Sequence, residues 1–181
     1  MSIAKKLFLV VLGGRCKGCH VEQHDVRWVV GETIDATLPA LRKEWIGVRR
    51  GLHIDSYRCI DHADGHRIEV VEHAQDATSA DAPHLWFVNL GAYDPTSMAE
   101  QHAFGVIVAR SSASAKARAR QRWLQGQEQV HKDDLHPVDM DSSLDDLLPI
   151  QGNGQWHLKL IVDPDVGDAP VHPDWYGYWK I

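Results

Sequence analysis

The 181-residue sequence predicts an α+β fold made of two copies of one unit, strand-strand-helix-strand-strand. The sheet is expected to be mainly antiparallel with the helices on one side, and the halves are expected to be related by a pseudo-twofold. Three observations carry this. Shifted by 78 residues, the chain matches itself without a gap: 13 of the 55 positions in 7–61 are identical to their partners in 85–139. Chance gives roughly three, and such self-similarity marks an internal duplication. Each copy opens on a continuous apolar run, LFLVVLGG at 7–14 and LWFVNLGA at 85–92, the pattern of a strand buried on both faces. Each copy then sets a helix signal behind its second strand.

The first strand spans 6–13. Lys5 and Lys6 ahead of it resemble the charged start of a secretory leader, but the same block recurs in mid-chain, so it reads as a structural element. A glycine-rich loop leads to a second strand at 25–31. Ile34, Leu38, Leu41 and Trp45 then recur at helical spacing, the stripe of a helix packed on a sheet. Thr33 or Asp35 can cap that helix, and Pro39 inside the pattern predicts that it begins a few residues late. GLHIDSYRCI alternates over 52–60, HRIEVVE at 66–72 supplies a further strand, and the polar HAQDATSADAP at 73–83 joins the halves. In the second copy the strands fall at 84–91 and 103–110. Ser111 and Ser112 precede the helix-prone ASAKARARQRWL, and QWHLKLIV at 155–162 is again a strand. The resulting boundaries are 1–76 for the first half, 84–162 for the second and 163–181 for a tail, the halves sharing one compact domain. The tail HPDWYGYWKI is expected to dock on the body of the chain, because two Trp and two Tyr exposed together would form a large apolar patch.

Composition narrows the function classes. A hydrophobic content of 44% with seven Trp suffices for a core, and a net charge of −6 gives no electrostatic reason to bind nucleic acid or anionic lipid. No apolar run reaches the roughly eighteen residues of a membrane span. Three Cys, an odd number, argue against a disulfide framework and fit a reducing cytoplasm. The basic helix with Lys116, Arg118, Arg120 and Arg122 reads as a solvated face. DMDSSLDD at 139–146 fails as a calcium loop, with Leu144 at the glycine position and Ile150 at the glutamate position. Ser56 beside HID lacks a nucleophile-elbow sequence, so no hydrolase triad is assigned.

RCKGCH at 15–20 spells the attachment signature of a c-type haem. Cys16, Cys19 and His20 fall opposite Asp94, Ser97 and Met98, so the motif is not shared by the copies. It lies in a loop with no helix starting at the cysteines, and only Cys59 remains as a further sulfur ligand. It is expected to have no haem or redox role.

The copies share polar residues instead: Glu-Gln-His at 22–24 and 100–102, and His-x-Asp at 53–55 and 131–133. Side chains two apart on an extended segment point the same way, which pairs Glu22 with His24, His53 with Asp55, Glu100 with His102, and His131 with Asp133. If the pairs of each half converge, two His and two carboxylates meet, a set suited to zinc, manganese or iron or to acid–base work. Equally, such pairs can simply satisfy neighbouring backbone groups.

The blocks KLFLVVLGG with EQHDV, GLHIDSY, LWFVNLGAYDP with its EQH, and HKDDL with VD resemble an uncharacterised bacterial family catalogued as domain of unknown function 1543. The resemblance covers about residues 5 to 162 and leaves the aromatic tail unmatched. It implies a His-Asp block after the helix, a glycine-rich loop bearing EQHD, and no need for cysteines. It brings no activity with it. The expected function is therefore that of a soluble binding or interaction module with an unknown ligand or protein partner, with a homodimer as a candidate assembly. The alternative is a metal-dependent or acid–base enzyme, hydrolase-like, built on the paired clusters.

Overall fold

Strand β1 (Lys6–Arg15) is the centre of the first sheet. It pairs antiparallel with β2 (Gln23–Gly31) on one side and β3 (Val48–Cys59) on the other. The computed structural model describes residues 4–72, 82–123, 125–126, 156–167 and 172–181, and 128–137 as backbone. Helix α1 (Ile34–Glu44) follows β2 and is capped by Thr33, whose hydroxyl accepts the Ala36 N–H at 3.3 Å. Pro39 lies inside α1, so the late start expected from it does not occur. The cap sets the start, and the one carbonyl that Pro39 leaves without a helical donor belongs to exposed Asp35.

The second half repeats this order. Strand β6 (His84–Tyr93) lies between β7 (Gln101–Ala109) and β8 (Glu128–Pro137), all antiparallel. Helix α2 (Ser112–Arg122) is capped by Ser111, whose hydroxyl accepts the Ser114 N–H at 3.2 Å. The ladders agree residue for residue: Leu7↔Val30 becomes Leu85↔Val108, and Gly13↔His24 becomes Gly91↔His102. Even an irregularity recurs, since one β3 residue is bulged between Ser56 and Ile54, and one β8 residue between Asp134 and Lys132.

Strand alternation explains the layering. Phe8, Val10, Leu12 and Val29 point to α1 and meet Ile34, Leu41 and Trp45. The opposite face, Leu7, Leu9, Trp28 and Val30, packs on Leu85, Phe87, Val106 and Val108, the same positions of the other half. The Trp28 and Phe87 ring centroids lie 5.0 Å apart. Val88, Leu90 and Ile107 then face α2, where fully buried Ala115 and Ala119 leave room for close approach. Each half thus keeps its helix on one face of its sheet, and the two remaining faces form the common core.

A third sheet links the halves. The hairpin β4 (His62–Ala63) and β5 (His66–Val71) is extended by β9 (His157–Val162) from the second half. Its two-residue turn, Asp64-Gly65, has φ of 49° and 71°, the primed geometry that Asp-Gly favours. The Asp64 side chain is buried against the second half, accepting the Val108 N–H at 2.7 Å and a bond from Arg122, with Arg118 Nη2 at 3.6 Å. Arg118 also donates to the Val108 carbonyl. Two of the basic side chains expected to be solvated are thus drawn inward by a buried carboxylate.

The tail docks within the chain. Strand β10 (Trp175–Lys180) pairs antiparallel with β3, and Trp175 and Trp179 pack on the core under α1. Asp174 accepts the Cys59 N–H at 2.7 Å, and the Ile181 N–H donates to Leu52 at 3.0 Å, pinning both ends. Among the described residues no helix is long and apolar enough to cross a membrane. The rejected calcium-like loop and most of the joint between halves lie outside the described residues.

Candidate imidazole–carboxylate site

The candidate residues of the first half converge at one end of its sheet. His24 of β2 and His53 of β3 both sit opposite Gly13 of β1, forming one cross-strand row. Side chains in such a row share a face, and the missing side chain in the middle leaves the room in which they meet. A Cβ at Gly13 would fall 2.5 Å from His53 Nε2 and 3.0 Å from Asp55 Oδ2. Asp55 is the bulged residue of β3, which re-aims its carboxylate between the two rings.

The contacts run crosswise. Asp55 reaches His53 Nε2 with Oδ1 at 3.1 Å and His24 Nε2 with Oδ2 at 3.2 Å. Glu22 Oε1 lies 3.7 Å from His53 Nε2, so Glu22 turns to the buried ring. His53 is 2% exposed and His24 55%, so the cluster runs from the core to solvent. The His53 Nδ1 lies 2.8 Å from the Gly51 carbonyl. A carbonyl only accepts, so Nδ1 carries the hydrogen. Tyr178 of β10 stacks on the same ring, with centroids 4.0 Å apart and planes at 29°.

In the second half, His102 and His131 occupy the same row about Gly91, and Asp133 takes the bulge position. Glu100 Oε2 lies 3.5 Å from His102 Nε2. Side chains of 128–137 lie outside the described residues, so convergence there is established in backbone register alone. Among the described residues, no three His, Cys, Asp or Glu side chains stand as a group that could hold a metal ion. In the first cluster Asp55 spends one oxygen on each imidazole.

Cys16, Cys19 and Cys59 are free thiols. Cys19 N–H donates to the Cys16 carbonyl at 3.2 Å with Gly18 at φ 87°, a tight turn rather than a helix start. Burial, then the charge of Asp61, pushes the Cys59 thiol pKa up.

Two participants escaped the sequence reading. Gly13 carried a signal, since it is identical to Gly91 across the copies. Tyr178 carried none, because the tail lies outside the duplication.

The model of a family described as Domain of Unknown Function (DUF1543) matches residues 19–70 and again 97–157. Those two matches begin at positions related by the internal repeat. No curated protein matches the chain. A solved structure, described as the crystal structure of a protein Il1583 from Idiomarina loihiensis, is similar over 97% of this chain and 96% of its own, with 33% identity and a TM-score of 0.69.

Proposed function

Because the chain belongs to the DUF1543 family, whose description carries no activity, we propose from geometry that it is a binding protein for a divalent transition cation, which Glu22, His24, His53 and Asp55 would hold only after Asp55 moves from its bridging position, since as they stand they form no metal-holding group. One observation carries this reading. With its hydrogen on Nδ1, the His53 ring turns its other nitrogen, Nε2, toward two carboxylate oxygens at 3.1 and 3.7 Å. Acceptor against acceptor in a buried place is repulsive, so the arrangement calls for a positive charge there. A proton on Nε2 supplies it, and so does a metal ion.

The donor chemistry suits zinc, manganese or iron. Since Asp55 now bridges the imidazoles, uptake requires it to turn one oxygen aside and requires Nε2 to be free of its proton. A reducing cytoplasmic setting belongs to the same proposal, supported by three free thiols in a chain that needs no disulfide.

The direct Asp55 bridge favours a second reading, an acid–base or hydrolase-like enzyme. There a carboxylate orients two imidazoles, and solvent-exposed His24 exchanges protons with a substrate.

Titration calorimetry of untagged protein with zinc, manganese and ferrous ions tests the proposal. Stoichiometric uptake, abolished by His24→Gln and His53→Gln, is expected. A wild-type protein that takes up none of these ions would overturn it in favour of the acid–base reading.

A further inference from the structure

We infer that Tyr178 is a positioning residue for His53, and that the C-terminal strand thereby makes the first cluster the principal binding site of the chain. The inference deepens the reading of this cluster as the binding site and rests on it.

Three contacts define the His53 ring. Its Nδ1 is tied to the Gly51 carbonyl at 2.8 Å, and its Nε2 edge borders Gly13. A ring face is covered by Tyr178 at 4.0 Å. With these in place the imidazole has one direction left for a ligand, the Nε2 side where His24, Asp55 and Glu22 stand.

Tyr178 can do this because its strand is anchored along its length. Trp175 and Trp179 are packed in the core, Asp174 holds the Cys59 N–H, and the last residue is bonded to Leu52. The β10–β3 register slips between Tyr176 and Trp179. Gly177 there has φ 152°, a conformation that side-chain-bearing residues rarely adopt. The slip sets Tyr178 beside His53 while both tryptophans still point to the core. Tyr178 itself remains 66% exposed, far more than its packing neighbours, so its stacking on a histidine accounts for its place better than core filling does.

The duplication provides the internal comparison. The second cluster has the same glycine row and the same bulge, but among the described residues no strand pairs with the outer edge of β8. Among the described residues the tail therefore supports the first of two positions that match in backbone register. A ligand's supporting contacts commonly govern its affinity by about 10–100-fold, which is the expected difference between the clusters.

The test uses zinc on full-length wild type and on Tyr178→Ala, Tyr178→Phe and Tyr176→Ala. The readouts are the dissociation constant and, without zinc, the His53 Nδ1–H resonance. Tyr178→Ala is expected to weaken zinc binding by about tenfold or more and to lose the resonance to solvent exchange. Tyr178→Phe, which keeps the ring, should retain both, and Tyr176→Ala should change neither. His53→Gln should remove the tight site while His102→Gln leaves it. Unchanged affinity and an intact resonance in Tyr178→Ala would overturn the positioning role while sparing the binding reading. Equal loss in His102→Gln would overturn the ranking of the clusters. If wild type takes up no zinc, the binding reading and the ranking fall together. The ring resonance then decides the positioning role by itself, its survival in Tyr178→Ala counting against.

Discussion

Substitution of Asp64 is expected to loosen the joint between the halves in a graded way. Its carboxylate is 3% exposed and accepts the Val108 N–H at 2.7 Å. Leaving that buried donor unmade costs about 1–3 kcal/mol. Removing one member of a fully buried ion pair costs about 3–5 kcal/mol, but Arg122 and Arg118 are 28% and 37% exposed and can turn to water. The charge contribution therefore falls to about 1 kcal/mol. Asp64 also sits at φ 49°, where Asn is tolerated and Ala costs about 1 kcal/mol. Asp64→Asn keeps an acceptor for Val108 and the turn, so it should cost about 1–2 kcal/mol. Asp64→Ala loses bond, charge and turn preference together, for about 3–5 kcal/mol, or a midpoint lower by about 6–20 °C for a chain of this size. Asp64→Gly, with no turn penalty, should fall between them. Urea unfolding of the three variants measures the series. An alanine variant within about 0.5 kcal/mol of wild type, or an asparagine variant as costly as alanine, would refute the reasoning.

Gly13→Ala should abolish zinc binding and cost about 1–3 kcal/mol in urea, because its Cβ would fall 2.5 Å from His53 Nε2; a variant with unchanged titration would remove the glycine row from the argument. Iodoacetamide at mildly alkaline pH should modify exposed Cys19 well before Cys59, whose thiol pKa is raised by burial and then by Asp61, so that less of it is thiolate; peptide mass spectrometry gives the order. The Asp94 pKa is lowered by bonds from the Thr96 hydroxyl and N–H. Its support of that turn is thus present above its unfolded pKa and lost as pH falls through the depressed folded value. Amide exchange at Thr96 should follow this acid limb in wild type and lose it in Asp94→Asn.

What could be read in advance follows from how far each contact reaches along the chain. Strands β1, β2, β3, β5, β6, β7 and β9, the two helices and the pairing of His53 with Asp55 depend on neighbours, so alternation and the repeat disclosed them. The crosswise contacts did not: Glu22 was expected beside His24, whereas it reaches His53, because the glycine row brings both rings over β1. The turn at Asp64-Gly65 is legible as a hairpin from its two residues. Its burial is not, since Val108 and Arg122 come from the other half. Arg118 and Arg122 looked like a solvated face for the same reason.

The duplication both helps and limits the functional argument. Residues shared by the copies must at least satisfy the fold they share, and a glycine row with a bulge could persist for strand packing alone. Packing does not explain why the bulge carries Asp at both positions, 55 and 133, with His two residues before it each time. An apolar or small residue would keep the same backbone, and a carboxylate set against a buried imidazole is costly unless a positive charge joins them. The aromatic strand then falls on only one of the two copies, with its tryptophans buried and Tyr178 left over a histidine. A tail added only to close a sheet edge would be served by the tryptophans and the strand ladder. The stacked tyrosine is the part of it that the fold does not require, and its partner is the one fully buried histidine among the described residues.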